Sequence, residues 1–285
     1  MPLRILVAGL LSHDSGKTWL SYALARNIPG SRLFKPVGGF NAWHSLGALR
    51  ASTRLGILAG GDALRHAEVI GSLEPGTIAI VNPVAYVNAY PDPLPYVEAR
   101  RLASYMVYTR SPLEGLLAWR VTSCQHGPQW ATWFSPRHMQ RLPRPLRVEA
   151  EKLVAATAAA PGEPSEFTEA LAAGKLDEAI ESCRERLERG VNALIIESFS
   201  DALPPYGLDA CLLDFVAVAA PGRVLLYSGD RVCEAVKAMG SGRTERILSL
   251  LGKPLLTEEL PLAADPEELA DLLRGSRLVK LLSPG

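Results

Sequence analysis

The strongest constraint on this chain lies in its first thirty residues. An apolar run with β-branched members, Leu3–Ala8 (LRILVA), stops at Gly9, which opens the loop Gly9-Leu10-Leu11-Ser12-His13-Asp14-Ser15-Gly16-Lys17-Thr18. Residues 18–28 (TWLSYALARNI) then carry helical periodicity up to Pro29-Gly30. A short, largely apolar strand reads as one buried in a parallel sheet, and a helix directly after it reads as a crossover. That pairing selects the α/β class.

The rest of the chain keeps the alternation. Strands are expected at Ser31–Val37, Thr77–Val81, Ala193–Ile196, Asp214–Ala220 and Arg223–Tyr227, near 254–257 and at 277–282. Helical patterns fill 44–71 (broken at Gly60-Gly61), 145–160, 165–189, 229–239, 243–251 and 266–274. The expected fold is a single α/β domain over residues 1–285, doubly wound, with a mostly parallel sheet and helices on both faces. Residues 85–145 read differently: prolines and aromatics are dense, including Trp119, Trp130 and Trp133. They are expected to form an insertion or lid, because a structureless connection of that length is unusual.

The loop ends in Ser15-Gly16-Lys17-Thr18, the end of a phosphate-binding Walker A loop. Each residue type has a physical task there. Glycine lets the backbone turn against phosphate oxygens, and backbone N–H groups at the following helix start face the anion. Lysine reaches the β- and γ-phosphates, and the threonine hydroxyl reaches Mg²⁺. The usual spacing would put glycine at position 11, which is Leu11; the nearest glycine is Gly9. The nucleotide site is therefore expected on Ser12, His13, Asp14, Ser15, Gly16, Lys17 and Thr18, with ATP and Mg²⁺ as cofactors. His13 and Asp14 are expected to shape the loop before they take part in chemistry. The bland alternative is a helix capped by Ser15.

Such a site needs acids for the metal. Glu197 directly follows a buried strand, where ligands bind in open α/β sheets. Asp62 follows Gly60-Gly61, where it could equally cap a helix. Thr18, Asp62 and Glu197 form the expected metal set. Only seven of the thirty basic residues are lysine, and two of them, Lys17 and Lys35, sit inside glycine- or proline-marked motifs. Lys35 lies in Phe34-Lys35-Pro36-Val37-Gly38-Gly39. The proline holds it extended and the glycines open space beside it. Lys17 and Lys35 are the expected catalytic pair, with Lys35, Gly38, Gly39 and Asn41 toward a substrate.

With these residues laid out, the chain resembles dethiobiotin synthetase and the wider SIMIBI class of P-loop NTPases. The resemblance rests on the long loop ending Gly16-Lys17-Thr18, on Lys35-Pro36-Val37, on Asp62-Ala63-Leu64, on Asn82-Pro83 and on the strand-end acid Glu197. The strings GLLSHDSGKT and FKPVGGFNAW are similar to an archaeal family of predicted P-loop ATPases. The resemblance implies an ATP-dependent ligase or kinase in which the two lysines assist phosphoryl transfer to a small carboxylate, carbamate or hydroxyl substrate. It also implies a homodimer. The chain departs from the synthetase pattern at Gly38-Gly39-Phe40 and Ser198-Phe199-Ser200, the positions facing an organic substrate.

Two alternatives remain. A regulatory NTPase switch of the guanine-binding kind needs Asn-Lys-x-Asp, and none of Asn27, Asn41, Asn82, Asn88 and Asn192 precedes a lysine. A nucleic-acid kinase is suggested by Arg137, His138, Arg141, Arg144 and Arg147 near Trp130 and Trp133. A formal net charge of zero weighs against nucleic-acid and membrane partners. Cys124, Cys183, Cys211 and Cys233 form no CxxC pair and read as buried thiols of a reduced cytoplasm.

Overall fold

The computed structural model describes residues 2–11, 14–110, 113–240 and 242–283. Among them, thirteen strands follow in chain order: β1 (Leu3–Gly9), β2 (Ser31–Phe34), β3 (Val37–Asn41), β4 (Val84–Asn88), β5 (Leu116–Ser123), β6 (Gln129–Phe134), β7 (Ala160–Pro161), β8 (Ala193–Glu197), β9 (Ala202–Leu203), β10 (Phe215–Ala220), β11 (Arg223–Ser228), β12 (Gly242–Arg243) and β13 (Leu256–Glu259). The fold is mixed α/β, and the central sheet has the order β13-β11-β10-β1-β8-β2. β2, β8, β1 and β10 run parallel, while β11 and β13 add antiparallel at one edge.

Helices cover both faces, and the side chains of β1 divide between them as a pleated strand requires. Ile5 and Val7 pack with Leu20 and Leu24 of helix α1 (Lys17–Asn27) and with Leu269 and Leu273 near the C-terminus. Leu6 and Ala8 join the opposite core with Ile180 and Leu187 of the helix Asp177–Glu188. Two further helices matter below, α2 (Leu46–Leu55) and α3 (Gly61–Ile70).

Two expected strands are helices. Residues Pro75–Val81 form α4, because Pro75 presets the first helical turn and the run ends before Asn82-Pro83. The segment Arg277–Leu282 is a helix capped by the Ser276 hydroxyl, with Leu278, Val279 and Leu282 buried at helical spacing. Both runs were too short and too apolar for periodicity to separate helix from strand.

The window 85–145 contributes to a second sheet of order β3-β4-β5-β6-β7, whose outer strands β3 and β7 come from outside it. The expected single strand Ser31–Val37 is thus split at Lys35-Pro36: β2 stays in the central sheet and β3 enters the second one. The cysteine expectation is overturned, since Cys124–Cys183 and Cys211–Cys233 are disulfide-bonded. The first links the end of β5 to the helix Asp177–Glu188 and so ties the second sheet to the first. Such pairing is characteristic of oxidising compartments and of intracellular proteins of hyperthermophiles. Among the described residues, no helix is long and apolar enough to cross a membrane.

Candidate functional site

Parallel strands place their carboxyl ends along one edge, and three expected site elements leave from that edge. The loop of residues 10–16 follows β1, Glu197 is the last residue of β8, and Lys35 is the first residue beyond β2. β8 lies between β1 and β2, so the lateral order is loop, Glu197, Lys35.

In the loop, Asp14 and Gly16 both adopt left-handed backbone, with φ of 54° and 84°. Asp tolerates this geometry and glycine is suited to it. Gly16, not Ser15, is the N-cap of α1; among the described residues no side chain caps the helix, and its first turn holds no acid. The first N–H groups of α1 therefore lack a side-chain acceptor, the arrangement that favours an anion. The Ser15 hydroxyl is buried and has no hydrogen-bond partner among the described residues. The capping alternative is thereby excluded. A Cβ on Gly9 would lie 2.5 Å from Ser15 Oγ and 2.9 Å from Lys17 Cδ. The loop thus folds back so closely on Gly9 that a side chain there would collide with it. Ser12 and His13 lie outside the described residues.

Beside the loop is a buried ionic cluster. Lys35 Nζ donates to Glu197 Oε1 at 2.5 Å and to Asp62 Oδ2 at 2.8 Å. The Thr18 hydroxyl donates to the same Glu197 Oε1 at 2.9 Å. His66 Nε2 lies 2.9 Å from Glu197 Oε2, an ion-pair distance without hydrogen-bond alignment. Lys35 is 6% exposed, Glu197 1% and His66 0%, whereas the Asp62 side chain is 42% exposed. Asp62 and His66 are one turn apart on α3 and so share a face. Asp62 does not cap α3, whose N-cap is Gly60.

Burial alone would drive the Lys35 ammonium down, but Asp62 and Glu197 outweigh it and hold Lys35 above the ordinary lysine range. Burial alone would likewise raise Glu197; Lys35 and His66 outweigh it and keep the carboxylate well below its usual range. Burial pushes Lys17 down, opposed by Glu197 and reinforced by Lys35. The backbone around Lys35 is fixed by Asn82, whose Nδ2 donates to Lys35 O at 2.8 Å and Val84 O at 2.9 Å. The fully buried Arg120 donates in turn to Asn82 O at 2.5 Å and Leu58 O at 2.9 Å. Lacking a carboxylate partner, its guanidinium is pushed down to about 9 by burial.

All described members of the expected site line one cleft of about 1210 Å³: Asp14 to Thr18, Lys35, Gly38, Gly39, Asn41, Asp62 and Glu197. The space beside the glycine pair is largely filled, since a Cβ on Gly39 would lie 2.1 Å from Tyr86 Cζ and one on Gly38 3.0 Å from Asn82 Nδ2. Asn41 Oδ1 accepts from Trp43 N at 2.9 Å, and its enclosed Nδ2 has no partner among the described residues. Sequence reading missed His66, whose signal was the four-residue spacing from Asp62. It also missed His44, Arg65, Tyr86, Tyr90 and Tyr108 in the cleft wall, which carry no motif.

The donor set suits a hard cation. Thr18 Oγ1 and the Asp62 and Glu197 carboxylates are oxygen ligands, and magnesium takes one or two carboxylates alongside substrate phosphates. Among the described residues, no group of three or more His, Cys, Asp or Glu forms a ready-made metal cage. The arginine cluster is dispersed: Arg141 packs on Tyr96 and Tyr108, Arg147 Nη2 donates to Leu142 O at 2.9 Å, and His138 is buried against Ala89 O at 2.8 Å. Only Arg137 and Arg144 are left exposed without such ties. No protein-family model matches the chain, and neither a curated protein nor a solved structure is significantly similar to it.

Proposed function

We propose that the chain binds ATP with Mg²⁺ on the loop before α1 and transfers the terminal phosphoryl group to a small carboxylate, carbamate or hydroxyl acceptor. The observation that carries this reading is the convergence of Lys17, Thr18, Lys35, Asp62 and Glu197 on one cleft, beside an uncapped helix start. Thr18, Asp62 and Glu197 would hold the magnesium, which supplies charge neutralisation on the phosphates.

The chain's own residues then have separate tasks. The N–H groups at the start of α1 bind phosphate oxygens through oriented dipoles. Lys17, whose charged form is penalised by burial, regains favourable interaction when a polyphosphate lies beside it. Lys35 remains protonated in the cluster and places positive charge where negative charge develops on the migrating group. The bond from the γ-phosphorus to the β–γ bridging oxygen breaks, the bond to the acceptor oxygen forms, and ADP leaves. A carboxylate acceptor releases no proton; a hydroxyl acceptor releases one.

Calorimetric titration with the non-hydrolysable analogue AMPPNP and Mg²⁺ tests the reading. Lys17→Ala is expected to weaken binding by about a hundredfold or more, the size of a lost charge-assisted phosphate contact set. Equal affinity in the variant, or no binding by the parent chain, sinks it.

A further inference from the structure

The cleft extends past Lys35, and its far end is built differently. β3 and β4 pair in parallel with Gly39 opposite Tyr86 and Asn41 opposite Asn88. Three rings gather just beyond these strand ends. His44 follows Asn41, whose side-chain oxygen accepts from Trp43 N and, at 3.4 Å, from His44 N. Tyr90 follows β4 and meets His44 edge-on at 5.8 Å and 82°. Tyr108 comes from the short helix Val107–Arg110 and lines the same cleft.

Of these rings, Tyr108 is held from behind. The Arg141 guanidinium lies 5.7 Å from the Tyr108 ring and 6.0 Å from that of Tyr96, and it bonds the Tyr96 hydroxyl. The Tyr96 hydroxyl is 3.4 Å from that of Tyr108. Arg141 is itself fixed, since its carbonyl accepts from Asp92 N at 2.7 Å. An aromatic side chain fixed in this way offers contact area at little further entropic cost.

Position decides which molecule meets the wall. The loop, Glu197 and Lys35 follow in that order across the central sheet, and β3, which begins two residues after Lys35 and pairs with β4, carries the chain on to the wall. A nucleotide with its phosphates on the loop and its terminal phosphoryl group toward Lys35 has its base on the other side of the phosphate chain. The wall lies beyond Lys35, on the acceptor's side. At about 1210 Å³ the cleft also exceeds what one small ligand occupies.

We infer that the acceptor is a flat aromatic or heteroaromatic molecule, whose ring packs on His44, Tyr90 and Tyr108 while its nucleophilic oxygen faces Lys35. This rests on the nucleotide reading above for the assignment of the two ends. An aliphatic diamino acid or short dicarboxylate gains nothing from such a wall, whereas ring-on-ring packing rewards any flat π-system.

The test uses the full chain and saturation-transfer NMR titration, with and without Mg-AMPPNP. The aromatic probes are cytidine and 4-hydroxybenzoate; the aliphatic probes are succinate and 2,3-diaminopropionate. At least one aromatic probe is expected to bind roughly tenfold tighter than either aliphatic one, and Tyr108→Ala to remove about that factor while AMPPNP affinity stays within about twofold. His44→Ala, at an exposed position, gives the same readout if Tyr108→Ala fails to fold. Aliphatic probes binding as tightly, or no aromatic probe binding in the millimolar range, overturns the inference. So does a Tyr108→Ala effect on AMPPNP that is absent with inorganic tripolyphosphate, because the wall would then hold the nucleotide's base. A chain that binds an aromatic probe but no nucleotide keeps the wall and refutes the nucleotide reading instead.

Discussion

The two ends of the cleft are built on opposite principles. At the loop end the key groups are charged, and Lys35, Glu197 and His66 are almost wholly withdrawn from water. At the far end they are rings, none of them fully buried, set on connections after β3 and β4 and on a short helix. The first end is locked by the register of a parallel sheet, so changing one residue unbalances its partners. The second hangs from connections, so its residues can change with little cost to the fold. Binding groups on such connections vary most readily while the scaffold stays fixed.

Removing charge from the loop end gives the largest expected effect. Glu197→Ala leaves the buried Lys35 with only the partly exposed Asp62 as a partner, and breaking one partner of a buried pair costs roughly 3–5 kcal/mol. Asp62→Asn, at the solvent-facing side of the same lysine, is expected to cost under about 1 kcal/mol. Chemical denaturation of both variants checks this, and equal losses would show that burial does not separate the two carboxylates.

The disulfides come next, and they bear on how the two regions are joined. Cys124–Cys183 spans a separation of 59 residues and ties the second sheet to the first, while Cys211–Cys233 spans 22. Loop closure in the unfolded chain predicts losses of roughly 4 and 3 kcal/mol for the respective double serine variants. Thiol titration under denaturing, non-reducing conditions should find no free cysteine. Four free thiols would refute the pairing.

At the boundary between the two ends, Gly39→Ala forces a methyl group against the Tyr86 ring, which is itself packed on Phe167 and Phe199. Overpacking of this kind costs about 1–3 kcal/mol. Gly61→Ala, where nothing lies within 4 Å, is the control and should leave the melting temperature unchanged or raise it. A tolerated Gly39→Ala would mean that the ring is free to move.

The smallest effect is the acid dependence. Glu197 is held below its ordinary value of 4.5. Its contribution to stability is complete above that value and is lost as pH falls toward the folded-state value. At pH 4 the loss is still under about 1 kcal/mol, growing on further acidification. Glu197→Gln should flatten this part of the stability–pH curve; an unchanged slope assigns the acid sensitivity to other groups.

Much of the loop end was legible because its signals are local. A strand, a glycine-bearing turn and a helix start are written in consecutive residues, and Glu197 advertises itself as an acid closing an apolar run. His66 was legible in principle, one turn beyond Asp62, yet only its burial gives that spacing meaning. The aromatic end had no such signature. His44, Tyr90 and Tyr108 come from three separate connections, and nothing in their spacing announces that they meet. Thr77–Val81 was misread because a threonine and four apolar residues fit a buried strand as well as a buried helix, and the deciding Pro75 lay outside the run.

The sequence by itself determined the α/β class, the loop before α1 and the candidate charges, because each depends on neighbours within a few residues. The tertiary structure decided that Lys35-Pro36 divides two sheets, that four cysteines pair across separations of 59 and 22 residues, and that the glycine pair is filled by Tyr86 and Asn82. These are long-range contacts. They follow from which surfaces can be packed together, a property of the whole chain that no local pattern encodes.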